Sequence, residues 1–152
     1  NITSQLRGNI SLLLYRARNS IFNIKPTTER KIIPSAYKQN ILALNELLAI
    51  AKNHDLKTIV YVAPIRQDIK LPYKMSEYNK FKSDIRLISV KYGVDFLNLE
   101  NIIAGPLWGL KVSSDLDGEL EYDFMHFKEQ GHEILAEKLF QHMDHKYLKN
   151  DF

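Results

Sequence analysis

The sequence predicts an α/β layered fold built on parallel strands, with too few strands in this chain to complete the sheet. Three observations carry the expectation. Amphipathic helical stripes alternate with short runs of β-branched and aromatic residues. Those runs hold few charges, as strands buried on both faces do. The resulting order, helix–strand–helix–strand–loop–helix, is that of right-handed crossovers on a parallel sheet.

The first helix is expected over residues 2–22, where Ile2, Leu6, Ile10, Leu13, Leu14 and Ala17 recur at spacings of three and four. Pro26 and Pro34 bracket a polar connector that contains Thr27 and Thr28. Ser35 reads as the N-cap of a second helix running to about Asn53, striped by Tyr37, Ile41, Leu44, Leu48 and Ala51. Thr58 to Ala63 reads as a strand stopped by Pro64. A proline-containing loop from Ile65 to Met75 leads to Ser76, the next expected N-cap. Tyr78, Phe81, Ile85 and Ile88 then mark a helix that ends at Gly93. Val94 to Leu99 is the second strand. An irregular stretch with Gly105, Pro106, Trp108, Gly109 and Gly118 follows, Trp108 being assigned to the core. The last helix is expected over about 128–147, with Ile134, Leu135, Lys138, Leu139 and His142 on successive turns.

Two parallel strands cannot cover two helix layers; a doubly wound domain has about five. The remaining strands are expected from sequence outside this chain or from another chain, unless a weak strand lies near Leu116 to Tyr122. The chain opens on Asn1 instead of Met, which fits a processed or partial chain. The expected organisation is one partial α/β domain over 1–152: an N-terminal helix and connector over 1–34, then the sheet-bearing part over 35–152.

Composition narrows the function classes. Of 152 residues, 45% are hydrophobic and 26% charged, which is globular rather than disordered. The net charge of +3 comes from 21 basic and 18 acidic residues, and its excess is spread along the chain apart from Lys25, Arg30 and Lys31. A nucleic-acid binder concentrates basic residues in a stripe, so nucleic acid is not an expected partner. With no cysteine, disulfides, thiolate metal sites and cysteine nucleophiles are excluded. No apolar run reaches the roughly 18–20 residues that span a bilayer. The stretch Ile10 to Leu14 also lacks the cleavage pattern of a signal peptide.

The chemistry concentrates in Asp123-Phe-Met-His126, expected in the loop before the last helix. A carboxylate three residues ahead of a histidine can curl back to accept its Nδ1–H. That fixes the tautomer and leaves Nε2 to take a proton from a hydroxyl. The alternative is a turn or helix cap in which Asp123 accepts backbone amides.

Asp123-Phe-Met-His126-Phe127, followed by Gly131-His132-Glu-Ile-Leu-Ala136 and Leu139, resembles the last block of the SGNH (GDSL-like) hydrolases. The strand pair Ile59 to Pro64 and Val94 to Leu99 is similar to that family's last two sheet strands. The long loop with Tyr73 and Tyr78 is loosely similar to the SGNH proteins of cell-surface polymer O-acylation. The resemblance covers about residues 36–142. It implies a three-layer, flavodoxin-like parallel sheet and a serine-dependent ester hydrolase or O-acyltransferase without cofactor. In that role Asp123 orients His126, the general base. It also implies an acyl ester or surface polysaccharide as substrate, a membrane acyltransferase as partner, and an extracytoplasmic or membrane-associated setting.

The chain departs from the family pattern where the nucleophile is concerned. It has no Gly-Asp-Ser block, no oxyanion-hole glycine block and no Gly-x-Asn-Asp block, and neither Ser113 nor Ser114 sits in a strand-to-helix elbow. The nucleophile is therefore expected outside this chain, which by itself is expected to be nearly inactive. The alternative function is a non-catalytic binding or assembly module derived from the same fold.

Four further features complete the reading. Arg66 and Gln67 follow the first strand, where ligands of open α/β sheets bind; Arg66 is a candidate for substrate binding, the alternative being a solvated loop. His132 is expected to be partly buried on the last helix. A metal reading would gather Asp123, His126, His132, His142 and His145, but no His-Glu-x-x-His pattern is present, and His142 and His145 are expected at the surface. Asp115-x-Asp117-Gly118 opens like a calcium loop but lacks its distal Glu, so it is assigned to a turn and no metal is expected.

Overall fold

A computed structural model of the chain describes residues 2–25, 27–113 and 119–148. The expectations placed on Pro26, Ser114, Asp115, Leu116, Asp117 and Gly118 lie outside those residues. The fold is mixed α/β, with four α-helices and two small sheets among the described residues.

Helix α1 is Ile2–Ile21 and α2 is Pro34–Asn53. Pro34, not Ser35, sets the start of α2. It stands in the first turn, where a missing N–H costs nothing and its φ already suits a helix. Strand β1 is Ile59–Val62, and helix α3 is Met75–Tyr92. Lys74, not Ser76, is the residue that precedes α3, and it makes no side-chain cap. Glu77 in the first turn instead turns outward to accept the Ile32 amide at 2.7 Å. Gly93 ends α3 with φ +68°, a left-handed conformation that a side chain would strain.

Strand β2, Asp95–Asn98, pairs in parallel with β1 from Ile59–Asp95 to Val62–Asn98. The pairing continues past the strands, Leu99 donating its amide to the Val62 carbonyl at 3.1 Å and Ile65 to that of Glu100 at 3.0 Å. This is the expected strand pair.

The stretch expected to be irregular differs most. A short 3-10 turn, Gly105–Leu107, leads into β3, Trp108–Val112, which pairs antiparallel with β4, Leu120–Phe127. The weak strand considered near Leu116 to Tyr122 therefore exists from Leu120 onward, in a separate antiparallel hairpin rather than in the parallel sheet. Helix α4, Glu129–Met143, runs into a π-helical turn over Asp144–Leu148.

The core gathers Leu48 and Ala51 of α2, Val62 of β1, Ile85 of α3, and Leu99, Ile103 and Trp108 of the segments after β2. Helix α2 packs on α3, and α3 packs on β2. These contacts bury Leu48, Ala51 and Ile85 and half-bury the rest of the expected stripes of α2 and α3. The stripe of α1 differs: Leu6, Ile10, Leu13 and Leu14 are exposed. The hairpin also shows an open apolar face, because the paired residues Leu110–Tyr122 and Val112–Leu120 are all exposed. Among the described residues no helix is long and apolar enough to cross a membrane.

Candidate active site: an Asp–His pair in a strand bulge

Asp123-Phe-Met-His126 is part of strand β4, not of a loop. A regular strand would send residues three apart to opposite faces, so the pair needs a break in the ladder. The register supplies it. Trp108 pairs with Phe127 and Leu110 with Tyr122, so Gly109 alone stands opposite the four residues Asp123 to His126. The extra length arches out as a bulge, and such bulges re-aim side chains.

Asp123 closes the arch from within. Its Oδ1 accepts the Met125 amide at 2.8 Å and the His126 amide at 3.1 Å, and its Oδ2 lies 2.8 Å from His126 Nδ1. A carboxylate only accepts, so the ring donates from Nδ1, and the neutral imidazole keeps Nε2 as its acceptor. The cap-like bonding and the Asp–His pairing weighed as alternatives thus occur together, one on each oxygen. Burial works against ionisation of Asp123. The Met125 amide, the His126 ring and the His126 amide outweigh it and hold the carboxyl below its ordinary value. Asp123 is 6% exposed, whereas the His126 side chain is 80% exposed. Among the described residues Asp123 is the one hydrogen-bond partner of the His126 ring.

Arg66 is not a solvated loop residue. It is 5% exposed, and its guanidinium spans three segments. It forms a two-pronged pair with Asp68 at 2.8 and 3.0 Å, and Nη1 donates to the Gly109 carbonyl at 2.8 Å and the Asp123 carbonyl at 3.4 Å. Its guanidinium carbon also lies 4.7 Å from the centre of the Tyr122 ring. Arg66 thereby ties the end of β1 to both sides of the bulge, Gly109 and Asp123. The planar fork suits that task better than a lysine would. Gln67 is exposed, its amide donating to the Ile65 and Glu100 carbonyls at 3.5 and 3.4 Å.

The far side of the bulge is set by packing. Phe127 meets Trp108 edge-on at 5.4 Å and lies 4.4 Å from the His132 ring. Gly131 lies so close that a Cβ there would stand 2.8 Å from the Phe127 ring and 3.1 Å from its Cβ. His132 is exposed, contrary to expectation, and serves Phe127 as an edge of aromatic cover.

His142 is likewise not a free surface residue. Its Nε2 bonds Asp95 at 2.9 Å, and Tyr147 donates to the same carboxylate at 2.7 Å, with Lys146 on the other oxygen. This ties the end of the chain's last helix to β2. Ser113 is 5% exposed. Among the described residues no three His, Asp or Glu side chains gather closely enough to hold a metal ion. Comparison of the chain with protein-family models, with curated proteins and with solved structures finds no match.

Sequence reasoning found the pair but missed Arg66 as its support and Gly131 as its spacer. Gly131 carries a usable signal, since a glycine inside the first turn of an otherwise good helix calls for a packing reason.

Proposed function

We propose that this chain is the later part of an SGNH-like fold and carries the acid–base half of a serine-dependent ester hydrolase or O-acyltransferase. The observation that carries the reading is the His126 Nδ1 bond to a buried carboxylate, made by a ring that is otherwise open. In this reading Asp123 fixes the tautomer and offsets the charge of the imidazolium. His126 Nε2 takes the proton of a serine hydroxyl as it attacks the acyl carbon, then returns it to the leaving oxygen. Arg66 acts as a positioning residue. The serine and the oxyanion donors come from sequence beyond this chain, along with the strands that widen β1–β2 into a three-layer parallel sheet. Two features support such completion: a two-stranded parallel sheet is too narrow to be covered on both faces, and the hairpin face of Leu110, Val112, Leu120 and Tyr122 is open. A surface polysaccharide as acyl acceptor, a membrane acyltransferase as partner and an extracytoplasmic setting belong to the same proposal.

The test joins this chain to the sequence adjoining it and follows hydrolysis of p-nitrophenyl acetate. Turnover should appear and fall by roughly three orders of magnitude or more in His126→Ala. Turnover that survives the substitution removes the assignment. The open apolar faces also favour a second reading, a non-catalytic module that docks on a partner. Complete inactivity of the joined chain, with the Asp–His pair intact, would select it.

A further inference from the structure

A second feature owes nothing to the Asp–His pair. A cavity of about 240 Å³ opens where the start of α2, the start of α3 and residues 30–32 meet, and it includes neither Asp123 nor His126. Its walls are aromatic. The Tyr73 and Tyr78 rings stack at 5.6 Å with 17° between planes, Phe81 continues the stack at 6.3 Å from Tyr78, and Tyr37 closes the side. The Tyr37 hydroxyl donates to Asp84 at 2.6 Å, while the buried Tyr78 hydroxyl sits near the Glu100 carboxylate without a hydrogen-bond partner of proper geometry. Burial and those carboxylates push the Tyr37 hydroxyl up to about 12 and raise that of Tyr78 as well. Ring faces are what such a cavity offers.

The rim is cationic. Arg30, Lys31 and Lys74 border the cavity with one acid, Glu77. Glu77 is already committed to the Ile32 amide and to Lys74 at 3.3 Å. That one carboxylate also feels Lys31, so the three cations leave surplus positive charge; Arg30 and Lys31 are both exposed, and among the described residues no carboxylate pairs with Arg30. The rim is held in place by its backbone, since Arg30 donates its amide to the Pro72 carbonyl at 2.9 Å and accepts that of Lys74 at 3.4 Å.

We infer that this cavity is a binding site for a small hydrophobic carboxylate, whose apolar body lies on the tyrosine rings and whose charge meets Arg30 and Lys31. An apolar wall with a few placed polar groups is the usual form of a small-molecule site. The volume lies below the roughly 300 Å³ at which drug-sized pockets begin, which fits one ring system or a short acyl chain and excludes a nucleotide. Arg30 also borders the smaller cavity formed with Phe124 and Met125 of the bulge, so one cation joins the two regions.

The probe is 2-naphthoate, with 2-naphthamide as its uncharged counterpart, titrated into the ¹⁵N-labelled chain at low salt. Naphthoate should shift the amides of residues 30–32 and 73–81 and bind at least about fivefold more tightly than naphthamide, the scale of a partly exposed ion pair. The double substitution Arg30→Ala with Lys31→Ala touches only exposed side chains, so the spectrum elsewhere should persist while naphthoate falls to the naphthamide level. Tyr73→Ala should weaken both ligands, and His126→Ala should weaken neither, which separates this site from the proposed catalytic one. Equal affinity for the two probes, indifference to the double substitution, or shifts centred on α1 or the β3–β4 hairpin would each overturn the inference.

Discussion

Replacing Asp123 by alanine and by asparagine separates the two tasks of its carboxylate. Alanine removes the acceptor of the Met125 and His126 amides and the partner of the His126 ring together. A buried amide left without its acceptor costs about 1–3 kcal/mol. Met125 and His126 are exposed, so water reaches this arch from one side, and a total near 2 kcal/mol is expected for the two amides. Asparagine is gentler on the fold. Its oxygen still accepts both amides, and the loss should stay below about 1 kcal/mol. Its NH₂, however, now faces Nδ1, so the ring must accept there and carry its proton on Nε2. That tautomer cannot act as a base toward a hydroxyl. Urea unfolding reads the first effect as a lowered midpoint with unchanged slope. Long-range ¹H–¹⁵N correlation of the imidazole reads the second as a move of the proton from Nδ1 to Nε2. In a complete hydrolase the asparagine form should lose roughly four orders of magnitude in kcat. An asparagine variant with the proton still on Nδ1, or an alanine variant as stable as the parent, would refute the account of the bulge.

Other perturbations probe the supports. Asp95 is opposed by burial but brought down to about 2 by Lys146, His142 and Tyr147. Its folded value lies below the unfolded value of about 3.9, so the stabilisation is complete above that pH and drains away as pH falls toward 2. It amounts to about 2 kcal/mol, and Asp95→Asn should flatten that part of the acid limb in urea titrations between pH 5 and 2.5. A variant with the parent's full acid dependence would contradict this. Arg66→Met leaves the Gly109 and Asp123 carbonyls without their donor, while Asp68, at 39% exposure, is free to be solvated. A cost of about 2–3 kcal/mol is expected, with faster hydrogen exchange at the Met125 and His126 amides; exchange confined to other residues would count against the positioning role. Gly131→Ala gains about 1 kcal/mol of helix propensity but overpacks Phe127 by about 1–3 kcal/mol. The net change should destabilise and displace the His126 ring resonances, whereas a stabilised variant would show that Phe127 has room to move.

Much of this was legible in the chain because it rests on local rules. The stripes of α2 and α3, the β-branched runs of β1 and β2 and the left-handed Gly93 are set by spacing and backbone sterics within a few residues. The Asp123–His126 pair was legible for the same reason, being three residues apart. What escaped was non-local. The hairpin was hidden because Trp108 to Val112 contains Gly109 and a lysine, so its strand character comes from the pairing with Leu120 to Phe127 rather than from propensity. Arg66 reads as a loop residue until the carbonyls of Gly109 and Asp123 are brought to it. His142 reads as surface until Asp95 meets it. The caps assigned to Ser35 and Ser76 failed because Pro34 and Glu77 act at the same helix starts, the proline by fixing φ and the glutamate by reaching back to Ile32.

The bulge has a consequence for the order in which the chain takes shape. The three bonds by which Asp123 closes it from within join residues two or three apart, within a hairpin whose strands are near neighbours in sequence, whereas Arg66 grips it from 43 and 57 residues away. Hairpins of that kind form in about 1–10 μs, while pairing of β1 with β2 must wait for the intervening α3 to fold back. The local bonds can thus orient the imidazole first, and docking of Arg66 on Gly109 and Asp123 then fixes the arch against β1.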